Sequence, residues 1–157
     1  MIKKSTNAKS PEEANPVRVG LIGLGKLGLL HAAIVNGLKS SKLVAVADPS
    51  ATLRDGLAQQ MESLATYDDY EDMLKKEELD AVVIASPTFL HTPMVQCCLD
   101  HKLPFLVEKP LGAFAKDTIA LVDAYKSNPI VHTIGYMGRQ IETFCHAKKI
   151  LDLNPLG

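Results

Sequence analysis

From Val17 onward the chain alternates short, almost wholly apolar runs with longer segments of helical spacing, and no other feature constrains its fold as tightly. Val17–Ile22 (VRVGLI), Leu43–Ala47 (LVAVA), Ala81–Ala85 (AVVIA), Phe105–Val107 and Ile130–Gly135 read as strands, with Leu64–Thr66 as a further short one. A strand apolar at nearly every position is covered on both faces, as in a parallel sheet. Between these runs, Leu27–Leu38 carries Leu27, Leu30, Ile34 and Leu38 at helical spacing. Ser50–Met61 follows as a helix with Ser50 as its N-cap, and Asp68–Leu74 as a short acidic one. Thr92 and Pro93 suit the N-cap and first turn of a helix running towards His101, with Phe114–Lys126 and Gln140–Leu153 completing the set. The expected fold is α/β, a doubly wound parallel sheet of six strands in the order 3-2-1-4-5-6.

The sequence of 157 residues suits one such domain. Residues 1–16 are polar and rich in Pro, Glu, Lys and Ser, and are expected to form a disordered tail. A net charge of -1 leaves no electrostatic footprint for nucleic acid or an acidic membrane. No apolar run approaches the ~20 residues that span a bilayer. Three cysteines, two of them adjacent, fit no disulfide framework and point to a reducing, cytoplasmic setting.

The first strand runs into Gly23-Leu24-Gly25-Lys26-Leu27-Gly28, which opens the first helix. A Gly-x-Gly-x-x-Gly string is weak by itself, but this placement is the one that dinucleotide binding needs. Gly23 permits the tight turn, Gly25 leaves room for a pyrophosphate, and Gly28 lets the helix pack against the strand. Amides at the helix N-terminus then face the phosphates. Asp48 ends the second strand, about twenty residues past Gly28, where a carboxylate accepts from the adenosine ribose hydroxyls and repels a 2′-phosphate. NAD is the expected cofactor; Arg54, a turn later, leaves NADP open. The blander reading is that Asp48-Pro49-Ser50 turns the chain and caps the next helix.

Three later loops lie at strand ends: Ser86-Pro87-Thr88-Phe89-Leu90-His91, Glu108-Lys109-Pro110-Leu111-Gly112 and Gly135-Tyr136-Met137-Gly138-Arg139. With the glycine turn, and in this order, they resemble the Gfo/Idh/MocA family of oxidoreductases over about Val17 to Gly157. The resemblance implies that Gly23, Leu24, Gly25, Lys26 and Leu27 meet the pyrophosphate and that Asp48 meets the ribose. Ser86, Thr88 and His91 would lie beside the nicotinamide half. Glu108 and Lys109 would flank the nicotinamide ribose and ring, with Lys109 also reaching the substrate hydroxyl. Arg139 is a further contact at the same mouth, and the Lys109–Pro110 bond is expected to be cis. An ammonium suits Lys109's place because it binds or polarises an alcohol or carbonyl oxygen.

The family carries a second, sheet-rich substrate domain with an Asp-x-x-x-His pair, which these residues lack. Division into a tail (1–16), a dinucleotide-binding domain (17–139) and a terminal helix (140–157) is therefore expected. The function implied is hydride transfer between NAD(P) and a sugar, polyol or related hydroxyl compound, with little turnover by this chain alone. The alternatives are a non-catalytic dinucleotide-binding regulator and an interaction module with an empty glycine turn. Association with further copies is left open. Glu142 and His146 read as a surface pair at i,i+4, Cys97 and Cys98 as buried small hydrophobes, and no metal site is expected. Ile141, Phe144 and Leu151 form an apolar stripe on the last helix that lacks part of its partner surface.

Overall fold

A computed structural model describes residues 15–127 and 129–153; most of the expected tail and the last four residues lie outside them. Six strands, β1 (Val17–Ile22), β2 (Ser41–Ala47), β3 (Ala65–Tyr67), β4 (Ala81–Ile84), β5 (Phe105–Val107) and β6 (His132–Ile134), form one sheet. The order is β3-β2-β1-β4-β5-β6, every pairing is parallel, and the expected topology is met. Six helices alternate with them: α1 (Lys26–Gly37), α2 (Ala51–Ala58), α3 (Tyr70–Lys76), α4 (His91–Asp100), α5 (Ala115–Ser127) and α6 (Glu142–Asp152). No helix among the described residues is long and apolar enough to cross a membrane.

Two hydrophobic cores line the two faces of the sheet. Val19, Leu21, Leu43, Val46 and Val83 meet Ala32 of α1 and, more peripherally, Leu57 of α2. On the other face Ile22, Val82, Ile84 and Val107 meet Met73 of α3, Val95 and Cys98 of α4 and Leu121 of α5. Strict alternation breaks once, in β2. Val19 pairs with Leu43 and Gly20 with Ala45, so Val44 is an extra residue, and Val44 and Ala45 both join the second core. This is a β-bulge, which a wholly apolar run cannot announce. Arg18, the one charge in β1, is tied down: its amide donates to Asp80 Oδ2 at 2.7 Å and its Nε to the Glu78 carbonyl at 2.7 Å.

Three local expectations change. The stripe Leu27, Leu30, Ile34 and Leu38 is 40–52% exposed, while Gly28 and Ala32 form the buried face of α1. Gly28 must lie against the end of β1, and that contact sets the rotation of the helix. Helix α4 starts at His91 after a 3-10 turn over Thr88–Leu90, so Thr92 and Pro93 sit inside its first turn and no side chain caps it. Ser50 does cap α2, accepting from the Leu53 amide at 3.4 Å. Glu142 and His146 are both exposed and form no ion pair among the described residues. The apolar stripe of α6 is open, with Phe144 63% and Leu151 61% exposed.

Of the adjacent cysteines only Cys98 is fully buried; Cys97 is half-buried, its Sγ 3.7 Å from His101 Nδ1. Burial first, and then Cys97 beside it, pushes the Cys98 thiol up to about 12. A thiol protonated to that pH and closed to solvent is a poor nucleophile. With maleimide at pH 7.5, native protein is expected to leave Cys98 unmodified while denatured protein is labelled there. Mass spectrometry of the peptides checks this, and fast native labelling of Cys98 would contradict the packing.

Candidate functional site

The strand order reverses at β1, whose neighbours β2 and β4 are reached on opposite sides, and a crevice of about 520 Å³ opens there. Such switch points, outside the carboxyl ends of the strands, are where open α/β sheets receive ligands. Its walls include Gly23, Gly25, Lys26 and Leu27 from the glycine turn, Asp48 and Pro49 beyond β2, and Ser86 and Pro87 beyond β4.

Each glycine of the turn meets a different constraint. Gly23 has φ +93, and a Cβ there would lie 2.8 Å from backbone atoms of Ala85. A Cβ on Gly28 would stand 2.0 Å from the Gly23 carbonyl oxygen. A Cβ on Gly25 would meet nothing within 4 Å. Protein packing explains the first two but not the third. Gly25 is the N-cap of α1 and supplies no side-chain cap, and the first turn holds no acidic residue. Among the described residues the Lys26 and Leu27 amides find no acceptor, so they and the positive end of the helix dipole face the crevice. An anion fits this cradle.

Asp48 ties two segments together. Its Oδ2 accepts from the Leu24 amide at 2.7 Å and its Oδ1 from the Ser50 amide at 2.8 Å, which fastens the glycine turn to the start of α2. The carboxylate still lines the crevice, half-buried, with remaining lone pairs for hydroxyl donors. The turn-forming and ligand-facing readings of Asp48 are therefore compatible. Arg54 donates from Nη1 to the Asp48 carbonyl, which holds its guanidinium close behind. The Leu24 amide is committed to Asp48, and its side chain is buried beneath the turn.

The other expected residues divide. Ser86 lines the crevice, its hydroxyl directed at Met94 Sδ at 3.1 Å; Thr88 is half-buried in the following turn. His91 is 1% exposed, with Nδ1 2.8 Å from the Pro110 carbonyl and Nε2 2.9 Å from the Ser86 carbonyl. It joins two loops rather than presenting its ring to the crevice. Glu108 is likewise buried, and Lys109 is exposed one strand over, followed by the cis bond to Pro110 that the sequence led us to expect. Arg139 stands farther off, its guanidinium 5.6 Å from the Tyr136 ring centroid, in a separate groove with Phe144 and Lys148. The geometry thus gathers the glycine turn, Asp48 and Ser86 into one wall, with Lys109 and Arg139 outside it.

Two residues escaped the sequence reading. Tyr70 also lines the crevice, and burial, with Glu71 next, raises its phenol above the ordinary value, so it stays protonated. His31 in α1 donates from Nε2 to Glu108 Oε1 at 2.8 Å. Its signal was available: a side chain three residues after a glycine that must face the sheet also faces the sheet.

The profile of a family described as oxidoreductases with an NAD-binding Rossmann fold, Gfo/Idh/MocA, matches residues 17–136. The scyllo-inositol 2-dehydrogenase (NAD(+)) of Bacillus subtilis is 29% identical over 142 residues, 90% of this chain and 42% of that protein. Among solved structures, myo-inositol 2-dehydrogenase from Lactobacillus plantarum superposes with a TM-score of 0.81 at 32% identity, covering 91% of this chain and 43% of that one. Myo-inositol dehydrogenase from Lactobacillus casei, in complex with NAD(H) and myo-inositol, gives 0.83 at 27% identity, with the same coverage of 91% and 43%. The chain spans less than half the length of these relatives.

Proposed function

Since the chain belongs to the Gfo/Idh/MocA oxidoreductases, by a match to their NAD-binding Rossmann domain over residues 17–136, we propose that it binds NAD(H) across the β1–β4 crevice and serves hydride transfer at a hydroxyl carbon of an inositol-like polyol or sugar. Gly25 carries the reading. It is bare where packing does not require it, at a helix end whose amides face open space, and a diphosphate accounts for both facts.

The roles follow from position. The Lys26 and Leu27 amides bind phosphate oxygens, and Gly23 and Gly28 keep the backbone close enough for them to do so. Asp48 accepts from the adenosine ribose hydroxyls; its negative charge disfavours a 2′-phosphate, so NAD is preferred to NADP. Bound there, NAD supplies the hydride acceptor. Ser86 and Thr88 border the nicotinamide half, and Lys109 holds the substrate oxygen and takes up part of the charge that changes there. Arg139 is a more distant contact on the substrate side. The resemblance of relatives named for inositol oxidation supports a polyol over other alcohols.

Dinucleotide binding needs only these local contacts. Fast turnover also needs a surface that orients the alcohol, since positioning supplies roughly 7–11 kcal/mol of barrier reduction. Binding is therefore the measurement that tests the reading. Calorimetric titration is expected to show saturable heat with NADH and weaker binding of NADPH. No heat from either would overturn the proposal and favour an interaction module; binding with no turnover on any polyol, even beside an added substrate domain, would favour a regulator.

A further inference from the structure

We propose that His31 is a positioning residue for Lys109, acting through Glu108: it holds the Glu108 carboxylate inside the fold so that the neighbouring ammonium stays free to meet a ligand. This rests on Lys109 serving the site as described above. Three elements converge on Glu108. Its amide donates to the Ile84 carbonyl at 2.9 Å, which fixes its backbone at the end of β5 beside β4. His31, on the sheet-facing side of α1, donates to Oε1 at 2.8 Å. Oε2 lies 3.3 Å from the Lys109 amide and closes over Gly135 beyond β6, where a Cβ would come within 3.0 Å of it.

A carboxylate 5% exposed needs a charged or strongly donating partner to stay buried. Among the described residues His31 is the sole side chain within ion-pair distance of it. The adjacent alternative is Lys109, exposed and with no partner for its ammonium among the described residues. Without the imidazole donor, the carboxylate gains most by turning outward to that ammonium. Glu108 would then pair with the very group that should hold the substrate oxygen. His31 decides which of two partners the carboxylate takes. The same helix carries the phosphate cradle at its N-terminus five residues earlier, so one rigid element sets both the diphosphate's seat and the freedom of Lys109.

The test is the rate at which the Lys109 amine is acylated in the cofactor-free protein, followed residue by residue by mass spectrometry. In H31A the new ion pair is expected to slow acylation of Lys109 by about tenfold or more, the effect of a carboxylate within contact distance. The double variant H31A/E108Q is expected to return to the wild-type rate, and so is H31Q, whose amide can still donate. A merely structural role for His31 would not produce rescue by removing a second charge. An unchanged rate in H31A overturns the proposal. Should H31A fail to fold, E108Q alone decides: no change is expected, and faster acylation would mean that Glu108 already sits on Lys109. Since no cofactor is present, failure of NADH titration would sink the cofactor reading and leave this result standing.

Discussion

Gly25→Val is expected to weaken NADH binding by about a hundredfold or more while the protein stays folded. The substitution separates the two reasons for a glycine. At Gly25 φ is -64 and ψ is -175, an extended conformation open to any L-residue, and a Cβ would meet no atom within 4 Å. The loss of a favourable N-cap costs about 1 kcal/mol. For a domain of this size that is a fall of about 3–5 °C in Tm. The valine methyl groups, however, would stand in the space into which the Lys26 and Leu27 amides point. A diphosphate kept from those amides loses charge-assisted hydrogen bonds worth about 1.5–3 kcal/mol each, and two of them amount to a hundredfold in Kd. Titration calorimetry and a thermal melt on the same sample read both quantities. Unaltered NADH affinity in a folded Gly25→Val protein would remove the diphosphate from this turn, and with it the main support for the proposed function.

Much of this was legible in the residues, for reasons that also mark where legibility ends. Strands covered on both faces leave unbroken apolar runs, so Val17–Ile22, Ala81–Ile84 and their partners could be read directly, and the sheet order followed from parallel connections. The glycine turn could be read because backbone geometry allows so few residues at Gly23 and Gly28. Side-chain direction was harder. The leucines of α1 make the stronger apolar stripe, yet the contact between Gly28 and Gly23 turned smaller residues inward. Val44 escaped because an extra residue in a uniformly apolar strand leaves no polar mark. The loop residues lie at the expected strand ends and differ in what they touch. His91 and Glu108 each satisfy partners inside the fold, a pairing of distant segments that no local pattern contains. Asp48 shows the reverse: two readings set against each other in the sequence are compatible in one carboxylate, since it has more lone pairs than the turn consumes.

Gly28→Ala is expected to damage the fold itself, three residues from a position where a larger side chain does little. The added methyl would be placed 2.0 Å from the Gly23 carbonyl oxygen and 2.8 Å from its carbon. Neither atom is the end of a flexible side chain. Gly23 is held at φ +93 with its amide bonded to the Ala47 carbonyl at 2.8 Å, so the turn cannot swing aside. Relief requires α1 to retreat from β1, and Ala32 and His31, on the same face, must retreat with it. That opens the core around Val19, Leu21 and Val46 and stretches the bond from His31 to Glu108. Overpacking against backbone, with loosening of a core helix, costs about 3 kcal/mol or more. The matching fall in Tm is about 10 °C or more for a domain of this length. A denaturant titration of Gly28→Ala beside Gly25→Val should therefore show a large loss of midpoint for the first and a small one for the second. Equal stabilities would mean that helix and strand are not in the close contact on which the proposed phosphate cradle is built.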